Sequence, residues 1–373
     1  MLSEKAIVIG AGIVGLATAR SLAERGYAVT VFERNEKAVG ASIRNFGMLW
    51  PIGQPDGVLY QRALKSKAIW KQVAKEAGLW YEERGSLHLA YTNLEYQVLN
   101  EFAAAVPERP IQVLNASARL QQSEAVNPGG LKGALYSADE MIIESRVAIG
   151  KLPLYLHEKY GVQFRFGTAI TGIEYPVVYS GKKKWEADRI FVCSGADFET
   201  LYPELFAENS FTKCKLQMMR LVAQPQGWHI GPSLCGGLSL IHYKSFEAAA
   251  SLSQLRQLFQ NTMPDYIRWG IHVMVSQNSE GELTVGDSHE YGAVHDPFDK
   301  QFINDLILDY LKTFAQFKDW RLLQTWNGIY PKKTDGKTEF MHQPEPGVTI
   351  VNGLGGNGMT LSFGLAEEVV SVL

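Results

Sequence analysis

The sequence predicts an α/β protein of two interleaved domains, one built on a parallel sheet and the other, of α+β type, on a mainly antiparallel sheet. Three observations predict it. The chain opens with a strand, a glycine turn, a helix and a second strand. Nearly continuous apolar strands running into further glycine-rich turns recur far downstream, and the stretch between them carries a hairpin pattern.

In the opening unit, Lys5 to Ile9 reads as a strand and Gly10-Ala11-Gly12-Ile13-Val14-Gly15 as a turn. Leu16 to Arg25 reads as a helix, and Tyr27 to Phe32 as a second strand that ends at Glu33 and Arg34. That order and spacing describe a Rossmann-like dinucleotide site. Gly10 permits the tight turn, Gly12 lets the backbone approach a pyrophosphate, and Gly15 lets helix pack on strand, so the free N–H groups of the helix point at phosphate. Glu33, about 20 residues beyond Gly12, is placed to accept ribose hydroxyls.

Tyr60 to Lys75 has a helical pattern, with Ala63, Ile69, Trp70 and Val73 among its apolar positions. Val162 to Phe166 alternates and stops at Gly167, whereas Arg189 to Cys193 is almost wholly apolar, as a strand buried on both faces should be, and stops at Ser194-Gly195. Val348 to Val351 runs into Asn352-Gly353-Leu354-Gly355-Gly356-Asn357-Gly358, after which Met359 to Val372 reads as a helix. Glycine so dense between strand and helix frees backbone amides for a ligand. By contrast, Gly270 to Gln277 and Glu282 to Gly286 flank a polar turn as a hairpin does, and residues 212–320 read as antiparallel sheet with helices. The expected division is a discontinuous cofactor domain over 1–84, 142–211 and 323–373, with 85–141 and 212–322 forming the substrate domain.

Composition narrows the function. The 373 residues suggest two domains, and a net charge of −3 leaves no basic field for nucleic acid or an anionic membrane surface. A small molecule is the expected partner. No apolar run is long enough to span a bilayer, and the first strand begins too early for a signal peptide ahead of it, so a cytoplasmic location is expected. Cys193, Cys214 and Cys235 are widely spaced with no CxxC pair, which predicts buried small hydrophobes and neither a disulfide framework nor a metal site.

A contiguous nicotinamide domain does not explain a second glycine-rich strand, loop and helix at the far end of the chain. Together with the GAGIVG fingerprint and Glu33, the segment Gly40 to Leu49, the strand ending Cys193-Ser194-Gly195-Ala196 and the closing Gly355-Gly356-Asn357-Gly358-Met359-Thr360, it gives a chain that resembles the FAD-dependent oxidoreductases of the D-amino-acid oxidase type, the group with glycine and sarcosine oxidases. The likeness covers essentially the whole length. Within it, RNFGM, GDSHEYG and the closing GLGGNGMTLSFGLAEE resemble a bacterial subgroup associated with phosphonate breakdown.

The resemblance implies a role for each motif. Gly10, Gly12, Gly15, Glu33 and Arg34 would hold the ADP half of FAD, with Ile170 giving backbone contacts to the adenine. Ala41, Ser42, Asn45, Gly47 and Met48 would line the stretch from pyrophosphate to flavin. Ser194, Gly195, Gly355, Gly356, Asn357, Gly358, Met359 and Thr360 complete the expected cofactor set, the last four offering amides near the flavin N1 and O2. There the positive end of a helix favours the anionic reduced ring.

Two departures from the family pattern matter. Where amino-acid oxidases of this type have Trp-x-Gly-Leu-Arg-Pro, whose arginine clamps the substrate carboxylate, this chain has Trp326-Asn327-Gly328-Ile329-Tyr330-Pro331. Tyr330 becomes a hydrogen-bond donor in the pocket, and Arg44 is the alternative anion contact. No cysteine follows Cys235, so FAD is expected to be non-covalent, and the lysine that aids oxygen in sarcosine oxidases has no counterpart near Thr284 or Val285. Oxygen and another electron acceptor both stay open. His272 and His289 are candidate proton acceptors, each weighed against a structural role. Amine oxidation needs no strong base when hydride leaves from a neutral amine, so the expected activity is oxidation of a small primary or secondary amine, of amino-acid or aminophosphonate type. A 2-hydroxy-acid oxidase or dehydrogenase and a non-catalytic dinucleotide-binding protein are the alternatives.

Overall fold

The computed structural model describes residues 3–116 and 122–373; residues 117–121, inside the segment expected to begin the substrate domain, lie outside them. The opening unit folds as a strand Lys5–Ile9, a helix Ile13–Glu24 and a strand Ala28–Phe32. These belong to a six-stranded sheet in the order Phe340–Glu345, Val348–Asn352, Arg189–Val192, Lys5–Ile9, Ala28–Phe32, Gln163–Arg165. All neighbours are parallel except the edge strand Phe340–Glu345. Strands from both ends of the chain meet at its centre because each is apolar on both faces and is covered by helices on one side and by the Phe206, Phe340 and Ile350 cluster on the other.

The second sheet is nine-stranded and mainly antiparallel. Its longest pair, Phe211–Leu221 with Leu322–Lys333, is antiparallel with a register shift between Arg220 and Leu221, and Tyr330 stands opposite Cys214. The expected division has residues from 323 onward in the cofactor domain; topology puts this strand in the larger sheet, and the chain returns to the parallel sheet at Phe340. The hairpin also shortens: Met274–Gln277 pairs with Leu283–Gly286, while residues 271–273 have no ladder. Ser86–Ala90, Gly133–Ser137 and Ile111–Asn115 extend the sheet, and the parallel pair of Ser86–Ala90 with Ser233–Cys235 accounts for "mainly".

The closing helix Gly358–Ser371 packs on helices Ile13–Glu24 and Val58–Glu76. Gly364 is needed there, since a Cβ would lie 2.6 Å from the Arg62 carbonyl oxygen, and its N–H donates to Ser66 Oγ at 2.7 Å. Trp70, fully buried, meets Phe363 edge-on at 4.9 Å and donates from Nε1 to the Met359 carbonyl at 2.9 Å. All three cysteines are free and buried. Among the described residues no helix is long and apolar enough to cross a membrane.

Candidate functional site

One cavity of about 1010 Å³ runs between the two sheets from Glu33 to a cluster of histidines. That exceeds the usual volume of a drug-sized ligand site and suits an extended ligand with a second small molecule at one end.

At its narrow-turn end, Gly10 has φ +107°, and a Cβ there would sit 2.4 Å from the Cys193 carbonyl oxygen. A Cβ on Gly15 would lie 1.9 Å from the Gly10 carbonyl oxygen, so Gly15 sets how closely helix meets strand and does not itself line the cavity. Gly12 does line it, as helix N-cap without a side-chain cap, and Ser42 Oγ accepts the Ile13 N–H at 2.9 Å. Glu33 closes this end: one carboxylate oxygen accepts the Ala11 N–H at 3.0 Å and the other the Asn35 N–H at 3.0 Å. Arg34 pairs with Asp197 on the wall, and Ile170, Ser194 and Gly195 line it nearby. Asn352 Nδ2 holds this corner by donating to the Gly195 carbonyl at 3.0 Å.

Along the middle, Ala41, Ser42, Arg44, Asn45 and Met48 line the cavity. Asn45 is committed to its own loop, donating to the carbonyls of Ala41 and Ser42 and accepting the Gly47 N–H at 2.8 Å. Gly47 does not line the cavity; its φ of +73° and a Cβ position 1.9 Å from the Ile143 carbonyl oxygen are what call for glycine there. Arg44 donates to the Asn327 carbonyl at 3.1 Å, which ties the loop to the larger sheet.

On the opposite wall, Gly355, Gly356, Asn357, Gly358, Met359 and Thr360 form the approach to the closing helix. Its N-cap Asn357 does not cap it; the side-chain oxygen accepts from Gln54 Nε2 at 3.0 Å instead. Neither this helix nor Ile13–Glu24 has an acidic residue in its own first turn, so two positive helix ends face one cavity. Glycines that a Cβ would crowd and two such helix ends fit a diphosphate and an electron-accepting ring.

The far end gathers groups from separate elements. Tyr330, on the strand Leu322–Lys333, is buried with Cys214, Leu216 and Met218, and burial with Cys214 and Tyr291 raises its hydroxyl far above the ordinary range, keeping it a donor. His272 and His289 flank Asp287: His272 Nε2 is 3.2 Å from one carboxyl oxygen and His289 Nε2 is 3.8 Å from the other. His289 Nδ1 donates to the Gly270 carbonyl at 2.8 Å, leaving Nε2 as the lone pair. Burial pushes His289 down to about 4 and lowers His272 well below 6.5, so both imidazoles are neutral near pH 7, and it raises Asp287 well above 3.8. His242 joins them, its ring 3.7 Å from His272 and 4.7 Å from His289.

The structure thus brings Arg44, Tyr330, His272 and His289 to one cavity with every expected cofactor residue except Gly15 and Gly47. Sequence reasoning missed His242, Asp287 and Lys332. Two of them had a local signal: Asp287 lies in the GDSHEYG segment two residues before His289, and Lys332 stands two residues beyond Tyr330 on a strand. His242 ends a five-residue helix that carries no motif.

A family model described as FAD dependent oxidoreductase matches residues 5–372. Among curated proteins, the tRNA 5-methylaminomethyl-2-thiouridine biosynthesis bifunctional protein of Pseudomonas savastanoi pv. phaseolicola is 31% identical over 141 residues, which is 34% of this chain and 20% of that protein. The match thus spans about a fifth of the relative's length. Among solved structures, glycine oxidase from Geobacillus kaustophilus superposes with a TM-score of 0.77 at 19% identity, covering 100% of this chain and 95% of that one. The L-alpha-glycerophosphate oxidase of Mycoplasma pneumoniae, with FAD bound, gives 0.76 at 18% identity over 100% of this chain and 95% of that one. These two likenesses establish the fold.

Proposed function

The chain belongs to the family of FAD-dependent oxidoreductases, and from that premise we propose that it oxidises the C–N bond of a small primary or secondary amine of amino-acid or aminophosphonate type. Bound FAD would supply the hydride acceptor for the carbon beside nitrogen, and the imine left behind would take up water to give a carbonyl compound and the free amine. The observation that carries the reading is that two helix N-termini, neither capped by its own N-cap side chain, share one cavity with a cluster of imidazoles of lowered basicity.

In this reading Gly10, Gly12, Glu33, Arg34, Ile170, Ser194 and Gly195 hold the ADP half. Ala41, Ser42 and Met48 follow the diphosphate, and the amides from Gly355 to Thr360 serve the ring, with no covalent bond to protein. Gly15, Asn45 and Gly47 support these from behind. Tyr330 donates a hydrogen bond to the substrate, and Arg44 positions the loop above it. A substrate arriving as an ammonium must lose a proton before hydride can leave; His289 Nε2, an imidazole lone pair kept unprotonated by burial, is the acceptor, and His272 with Asp287 orients it. The domain division, amended to place residues 322–333 with the substrate domain, and the likeness to phosphonate-associated proteins belong to the same proposal.

The test is anaerobic. A panel of amino acids, N-methyl amines, aminophosphonates and 2-hydroxy acids is mixed with purified holoenzyme, and the flavin absorbance is followed. Bleaching by an amine with release of ammonia or methylamine is expected. Bleaching by hydroxy acids alone overturns the reading in favour of alcohol oxidation, and a protein whose flavin no member of the panel reduces is not an oxidase or dehydrogenase of this substrate class.

A further inference from the structure

Lys332 follows Tyr330 by two residues on the strand Leu322–Lys333, so the alternation of a strand sends both side chains toward the cavity they line. Its Nζ donates to the Tyr291 hydroxyl at 2.9 Å, and among the described residues its ammonium enters no ion pair. The neighbouring lysines differ. Lys333 is held by Asp335 and the Asn209 carbonyl, and Lys244 donates to the Gly336 carbonyl at 2.7 Å. A half-buried ammonium without a counter-ion is costly, and burial lowers its basicity.

The groups around it strengthen the case for an anion. His242, His272 and His289 present ring nitrogens that all lie within 4.8 Å of one another. After burial, the charge of Lys332 further depresses His272 and His289. Asp287, the carboxyl among them, is buried, and burial raises it well above its ordinary range, which weakens it as a counter-charge. A metal ion fits poorly: the His242 and His272 rings lie 3.7 Å apart at only 33°, side by side, and an ammonium repels a second cation.

We propose that Lys332 and the His242 imidazole, both lining the cavity, form an oxyanion subsite that takes the acidic tail of the substrate, carboxylate or phosphonate. It rests on the amine reading and deepens it, moving the anion contact one strand repeat beyond the position that Tyr330 occupies.

Calorimetric titration of the holoenzyme with inorganic phosphate and with acetate tests it. In K332M the dissociation constant for the preferred anion rises at least tenfold with FAD content unchanged, K332R recovers most of the loss, and K332Q, polar and of similar length, repeats the effect. With an anionic amine, KM rises and kcat stays within a few-fold. Tighter binding of phosphate assigns a phosphonate tail and tighter binding of acetate a carboxylate. Equal anion affinity in wild type and K332M, or no binding of either anion to the wild type, overturns the subsite. If amines are turned over while K332M changes nothing, the subsite alone falls; if no amine reduces the flavin while phosphate binding depends on Lys332, the amine reading alone falls.

Discussion

His88 shows how a single ring is governed by its surroundings. Fully buried between Trp50 and Phe246, neither of its nitrogens has a hydrogen-bond partner, and burial takes its basicity down to about 3. The unfolded chain restores an ordinary histidine near 6.5. Between those values the unfolded state binds the extra proton, so stability is complete above about pH 6.5 and falls as pH drops below it, by roughly 2 kcal/mol at pH 5. His88→Phe keeps the ring and removes the titration. The fall in Tm between pH 7.5 and pH 5 is expected to be clearly smaller in the variant, and an equal fall in both proteins rules out His88 as the source. His272 and His289 follow the same direction, but they adjoin Asp287 and Lys332, so a mutant there reports on the site as well as on stability.

At the scale of elements, the closing helix does two things at once. Its first turn faces the cavity, and its far side packs on Val58–Glu76. Trp70 couples them through the hydrogen bond from Nε1 to the carbonyl of Met359, the helix's second residue. Trp70→Phe retains most of the buried ring yet leaves that carbonyl without its donor, at a cost of about 1–3 kcal/mol. Lower Tm and weaker FAD retention on dialysis are expected together. Loss of stability with unaltered FAD affinity would show that the first turn does not depend on this bond.

For the whole molecule, the cavity wall comes from both ends of the chain: Gly10 and Gly12 near the start, Asn357 and Thr360 near the close, and the histidines from the middle. A ligand that touches all of them stabilises the native state alone, by about 2.7 kcal/mol when its concentration is a hundred times its dissociation constant. Stripping FAD should therefore lower Tm by several degrees, and hydrogen exchange should quicken at both the Gly10 turn and residues 355–360. Faster exchange at only one of the two would mean that the cofactor does not bridge them.

The local units were legible because short-range rules decide them. Gly10, Gly12 and Gly15 with Glu33 announce a dinucleotide turn, and the all-apolar strands Arg189–Val192 and Val348–Asn352 announce burial on both faces. The edge strand Phe340–Glu345 and the long strand Phe211–Leu221 escaped notice, since mixed polarity along them satisfies no simple period. By itself the sequence determined the glycine turns, the buried strands, the family resemblance and the departure at Tyr330. Only tertiary structure decided that Leu322–Lys333 joins the larger sheet, that Gly47 does not line the cavity, and that His242 and Lys332 stand beside His289. The physical reason is that backbone preference and capping act over a few residues, whereas burial, ion pairing and basicity depend on which distant segments the folded sheets bring together.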